Sequence, residues 1–200
     1  GTVPANGIGV VVLKRLDLAK QDGDRIYCVV KGSRKNDGGN KVSFYAPSVH
    51  GQRDVIVQAQ RNAQIFSEQV QYVEAHGTGT PLGDPIEVEA LSAAFESNRK
   101  SPDTNGVCQL GSLKSQMGHL GSAAGVAGFI RTALCLYHQH YPVTLWSDNL
   151  NEAIDFKASG FALSKQAHAW EDRKRFACTL CFGCSVNALI TARGRAASEV

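Results

Sequence analysis

The 200 residues predict an α/β protein of stacked layers. Short apolar runs rich in Val and Ile alternate with stretches of helical spacing. Two histidines, His76 and His119, each follow a predicted strand and precede a predicted helix, where α/β proteins hold reactive groups on accessible turns fixed by rigid elements.

The elements follow in order. Ile8 to Leu13, Ile-Gly-Val-Val-Val-Leu, reads as a buried strand. Asp22-Gly23-Asp24 turns the chain toward Ile26 to Val30, a second strand, giving a hairpin with a short helical link. Asn36 to Asn40 is a loop of turn formers. Gln52 to Ile65 has helical spacing through Val55, Ile56, Ala59, Ala63 and Ile65. Val70 to Glu74 is the strand that leads to His76. Asp84-Pro85-Ile86-Glu87 opens a helix running to Phe95, with Asp84 as N-cap, Pro85 at the first helical position and Glu87 three residues after the cap. A polar loop, Ser97 to Asn105, leads to a strand at Val107 to Leu110. Leu120 to Tyr137 is a helix whose first turns hold Gly121, Gly125 and Gly128. Each glycine there costs about 1 kcal/mol relative to alanine, which is tolerated where backbones pack closely, so this helix is expected to be central and buried. Phe161 to Leu163, Phe176 to Cys181 and Val186 to Thr191 read as closing strands.

Composition excludes several classes. Twenty-one basic against 18 acidic residues give a formal net charge of +3, too small to argue for nucleic acid, and no basic block supports it. The most apolar helix carries Arg131 and many small residues, so no membrane span is expected. No signal peptide opens the chain, and Gly1 in place of Met reads as trimming or excision from something longer. The six cysteines are therefore expected to be reduced thiols in the cytoplasm. Cys178, Cys181 and Cys184 are spaced C-x-x-C-x-x-C, which invites a metal. On a strand, a three-residue step puts Cys178 and Cys181 on opposite faces, so no metal site is expected.

The histidines are chemically specific. A ring beside a helix N-terminus is held neutral, and a neutral imidazole N–H is a good donor to a developing oxyanion. His119, before the Leu120 helix, fits that role. Gly77 and Gly79 after His76 let a ligand or another backbone come close. Two neutral donors converging on one oxygen suit an enolate, and Lys114 supplies a fixed charge or hydrogen bond that orients them. His50, His138, His140 and His168 read as ordinary surface or core histidines.

Glu74-Ala75-His76-Gly77-Thr78-Gly79-Thr80 with Gly83-Asp84-Pro85, and Gly111-Ser112-Leu113-Lys114 with Gly118-His119, resemble the two histidine motifs of β-ketoacyl synthases. The closer resemblance is to ketosynthase domains of modular type I polyketide synthases, and Gly9 to Leu16, Asp22 to Ile26 and Ala46 to Val49 are also similar to that group. The resemblance implies a thiolase-like α/β fold, of which this chain is the C-terminal half of the layered αβαβα ketosynthase. Residues 1–25 would be the closing strand and link of the N-terminal half, and residues 26–200 the C-terminal half. It implies decarboxylative Claisen condensation of an acyl group with a malonyl-type extender. No cofactor is bound; substrates ride on the phosphopantetheine of an acyl carrier protein. His76 and His119 would polarise the extender thioester, Lys114 would support them, and Thr78 and Thr80 would contact substrate. The implied partners are the N-terminal ketosynthase half, the carrier protein and a second copy in the full homodimeric enzyme.

The chain also departs from the pattern. The nucleophile motif D-T-A-C-S-S is absent, so this polypeptide alone is expected to be inactive. The family's G-F-G-G-T-N-A-H is matched by Phe182-Gly183-Cys184-Ser185-Val186-Asn187-Ala188-Leu189, where only Asn187 and Ala188 hold. Gly183 stands at the oxyanion-hole backbone N–H, and Gln116 replaces the usual asparagine. A second reading is thus an inactive thiolase-fold remnant that binds a carrier or partner as a scaffold; a third, remote one is a metal-binding redox module. Lys165, Arg173, Lys174 and Arg175 are candidate carrier-docking residues.

Overall fold

The computed structural model describes residues 1–38, 47–101, 107–171, 174–182 and 186–194. Their elements are α1 (Leu16–Gln21), β1 (Val29–Asn36), α2 (Val49–Asn62), β2 (Val70–Glu74), α3 (Gly83–Ser97), β3 (Cys108–Gly111), α4 (Lys114–Met117), α5 (Ala124–His138), β4 (His140–Tyr141), α6 (Phe156–Ser159), β5 (Phe161–Leu163), β6 (His168–Ala169), β7 (Lys174–Phe182) and β8 (Val186–Gly194). Six of the strands form one sheet in the order β1-β8-β7-β2-β3-β5. β7, β2, β3 and β5 pair parallel, while β1, β8 and β7 pair antiparallel. β2 is buried at Val70, Tyr72, Val73 and Glu74, the near-continuous burial of a parallel strand covered on both faces.

The strand period sorts the layers. Cys178 of β7 joins Val55 and Ile56 of α2 and Leu91 of α3 in the main apolar core. Its neighbour Thr179 donates its hydroxyl to Thr132 of α5 at 2.9 Å. α2 and α3 therefore cover one face and α5 the other, in three layers. The same alternation separates the cysteines: Cys178 faces the α2–α3 core, while Cys181 lies against Gly125 of α5. Only one face of α5 is buried, since Leu134 on the outside is 40 % exposed. A Cβ on Gly125 would stand 3.1 Å from Cys181 Sγ and one on Gly128 3.3 Å from the Glu74 side chain, so helix and sheet pack closely along these glycines.

Three expectations are corrected. Residues 8–13 form no strand and pair with none among the described residues; Ile8 and Val12 are each 93 % exposed. Gly7 and Gly9 instead lie against Leu120, Val126 and Ile130. The hairpin with Ile26 to Val30 is absent, because β1 starts at Val29 and takes β8 as its partner. Asp84 is not the cap of α3, which starts at Gly83. Thr80 Oγ1 receives the Gly83 N–H at 3.1 Å, leaving Asp84 Oδ1 to accept from Gly79 N at 3.1 Å. The sequence reading also missed α4, a single turn too short for periodicity to detect. No helix among the described residues is long and apolar enough to cross a membrane.

Candidate active site

β2 and β3 lie side by side and parallel, so the loops that follow them leave the same edge of the sheet. Ala75 N–H donates to the Gly111 carbonyl at 2.8 Å, carrying the pairing one step past β2. His76 stands on the first loop, Lys114 and His119 on the second. This is the carboxyl edge, where open α/β sheets bind their ligands.

The two imidazoles meet edge to face, ring centroids 5.4 Å apart at 88°. His76 is pushed down to about 3 by burial first, then by the charges of Lys114 and His119. His119 is shifted in the same direction by burial and by Lys114. Both rings are therefore neutral at physiological pH. His119 Nδ1 accepts the Gly121 N–H at 3.0 Å, which leaves the proton of the neutral ring on Nε2. His76 Nδ1 is buried with no hydrogen-bond partner among the described residues. Burial also lowers Lys114, which Glu87, Cys181, Glu74 and Asp84 partly offset.

Two buried glutamates hold the loops. Glu87 of α3 accepts the backbone N–H groups of His76 and Gly77 on its two oxygens, at 2.7 and 2.8 Å. Burial nevertheless lifts its carboxyl to about 7. Glu74 accepts the Leu113 N–H at 2.6 Å and the Tyr72 hydroxyl at 2.5 Å. Its Oε2 is 3.5 Å from the Arg131 guanidinium, an ion pair nearly closed to water. Arg131 in turn donates to the Val143 carbonyl at 2.7 Å, on the segment that leads into the far wall of the cavity. Gly77 has φ +47°, and a Cβ there would meet the Ser112 side chain at 2.8 Å; the backbone that approaches the first histidine loop is thus the second loop.

A cavity of about 1050 Å³ opens here, lined by Thr78, Thr80, Lys114, His119 and the 144–151 segment. The Thr78 and Thr80 hydroxyls are 3.2 Å apart on its wall. The structure thus brings His76, His119, Lys114, Thr78 and Thr80 together. Gly183 lies outside the described residues, as do Cys184 and Arg173. Arg175 is 1 % exposed and so offers no docking surface, while Lys165 and Lys174 are exposed. His50, His138, His140 and His168 are exposed. Among the described residues no group of three or more His, Cys, Asp or Glu could hold a metal. The sequence reading passed over Glu74, Glu87 and Arg131 as site residues. A glutamate at the end of the strand that leads directly to His76, Val70 to Glu74, is the signal that could have found the first.

The family described as beta-ketoacyl synthase, C-terminal domain, matches residues 27–147. Over 172 residues the chain is 46% identical to a phenolphthiocerol/phthiocerol polyketide synthase of Mycobacterium tuberculosis, covering 86% of this chain and 11% of that protein. It is 44% identical to polyketide synthase PksL of Bacillus subtilis, covering 86% of this chain and 4% of that protein. Among solved structures, the ketosynthase from module 6 of the bacillaene synthase of Bacillus subtilis matches with a TM-score of 0.86 at 36% identity, over 92% of this chain and 33% of that one. Ketosynthase twelve of the bacillaene synthase of Bacillus amyloliquefaciens matches with a TM-score of 0.84 at 39% identity, over 90% of this chain and 32% of that one. The chain thus spans a small part of the polyketide synthases it matches and about a third of the solved ketosynthases. The layers are those of a thiolase-like fold, as the motifs implied.

Proposed function

The chain belongs to the β-ketoacyl synthase C-terminal domain family, and from that premise we propose that it supplies the two-histidine half of a polyketide-type condensing site. The substrate is a malonyl-type thioester on the phosphopantetheine of an acyl carrier protein, entering by the cavity that Thr78 and Thr80 line. The extender's carboxylate leaves as carbon dioxide, and the electron pair of the broken bond becomes an enolate. His119 donates from Nε2 and His76 from its own ring to the enolate oxygen. The enolate carbon then attacks an acyl thioester on a cysteine of the N-terminal ketosynthase half, and the cysteine thiolate departs. Residues 1–25 belong with that half and 26–200 with this one.

The single observation that carries this reading is the pairing of two neutral rings 5.4 Å apart, of which His119 lines the cavity. Lys114 helps hold them neutral, because a nearby positive charge opposes protonation. The test uses a ketosynthase assembled with its nucleophile-bearing half. His76→Ala and His119→Ala should each lower malonyl-thioester decarboxylation by about 10²-fold or more, the cost of losing one oxyanion donor. Acylation of the nucleophile should persist. Decarboxylation unchanged in both variants overturns the assignment.

One observation favours the scaffold reading. Phe182 stands where the family motif opens with glycine, and its ring packs 5.6 Å from His76. If that ring blocks the thioester, Phe182→Gly should raise a decarboxylation rate that is otherwise near background. A rate already high in the unaltered enzyme, and lowered by the substitution, removes the scaffold reading.

A further inference from the structure

The first five residues run across both histidine loops. His119 N–H donates to the Val3 carbonyl at 2.7 Å, and Ala5 N–H donates to the His119 carbonyl at 3.0 Å. Both backbone groups of His119 are thus held by this segment, with Pro4 bridged to it as in a sheet. Pro4 lacks an N–H and fits between the two bonding neighbours, where none is called on. On the other loop, Thr2 Oγ1 donates to the Thr78 carbonyl at 2.7 Å. Gly118, just before His119, has φ +76° and ψ −174°, a region essentially reserved for glycine. A Cβ there would stand 2.7 Å from the Val3 carbonyl oxygen and 3.1 Å from Ala5 Cβ. The second loop is therefore shaped to receive this segment.

We propose that residues 1–5 are a positioning strap that sets the His119 ring and ties its loop to the Thr78 loop. The strap acts through the backbone of His119, and its residues Gly1, Thr2 and Val3 also line the cavity. The His119 side chain accepts the Gly121 N–H on Nδ1 and packs on the His76 ring, and these contacts orient the ring only if the His119 backbone is itself fixed. The inference rests on His119 having the role proposed above, so its test has a readout that does not depend on catalysis.

Ala5→Pro deletes the N–H given to the His119 carbonyl, and Ala5→Ser keeps it. In the 200-residue chain, Ala5→Pro should speed exchange of the His119 amide by at least tenfold and move its imidazole ¹⁵N signals away from the Nε2–H pattern. Ala5→Ser should restore both. In an assembled ketosynthase, Ala5→Pro should cut kcat for decarboxylation by about 10- to 10²-fold at little-changed KM, the range for a misplaced catalytic group. Thr2→Val, a surface change, gives a second measure if Ala5→Pro fails to fold: the two loops should exchange faster without loss of helix signal. An unmoved His119 amide and imidazole in a folded Ala5→Pro protein, or unmoved loops in Thr2→Val, overturns the strap. Shifted signals with unchanged kcat uphold the strap and overturn the role of His119.

Discussion

At His76 and Glu87, burial acts on two groups that touch through the backbone, with opposite consequences for pH. His76 is held at about 3 against an ordinary 6.5, so between those values the unfolded chain carries the proton and the native one does not. Stability from this residue therefore rises with pH across that window and is lost as pH falls through it. Glu87 is held at about 7 against an ordinary 4.5, so the native state keeps its proton longer, and stability falls as pH rises from 4.5 to 7. The two slopes oppose each other between 4.5 and 6.5. Glu87→Gln should remove the falling limb, seen as a steeper rise of denaturant stability with pH over that interval. It should also cost about 1–3 kcal/mol, because the amide nitrogen would replace one of the two oxygens that accept the His76 and Gly77 N–H groups. A pH profile parallel to that of the unaltered chain would sink the claim. Gly118→Ala should cost about 1–3 kcal/mol by forcing a side chain into a glycine-only conformation, measured by the same denaturation.

The elements that place these residues are coupled by one buried ion pair. Glu74 ends β2 and Arg131 stands mid-way along α5, and their contact links the sheet, the helix and, through Leu113 and Val143, both walls of the cavity. Arg131→Met leaves the Glu74 carboxylate buried without its counter-charge, and burial already raises that carboxyl. The expected loss is about 3–5 kcal/mol by chemical denaturation, the usual cost of breaking such a pair from one side. Adding Glu74→Gln to the same chain should recover part of it. A loss under about 1 kcal/mol would show the pair to be dispensable.

Across the whole molecule, the sheet is covered on both faces along β7 and β2, yet the 8–13 segment has no strand partner among the described residues. Ile8, Val10 and Val12 are 93, 82 and 93 % exposed, a run of every second residue, as on one face of a strand. Exposed apolar stripes of this kind mark interfaces or drive association. The chain should self-associate at micromolar concentration, and Ile8→Ser, Val10→Ser and Val12→Ser together should return it to monomer in sedimentation velocity. A monomer without the substitutions would count against this.

By itself the sequence determined the alternating elements and the two histidine motifs, because hydrophobic period and turn residues are local signals. It located β2, β3, β5, α2, α3 and α5 to within a few residues and placed Cys178 and Cys181 on opposite faces. What only the tertiary structure decided was contact between distant segments. Glu87 looked like part of a helix cap, yet it serves the loop eleven residues before it. Ile8 to Leu13 looked like a buried strand, but burial needs a neighbouring edge, and an apolar run cannot say whether one is present. That the His76 and His119 rings meet follows from β2 and β3 being parallel neighbours, a pairing between segments far apart in the chain that no local pattern encodes.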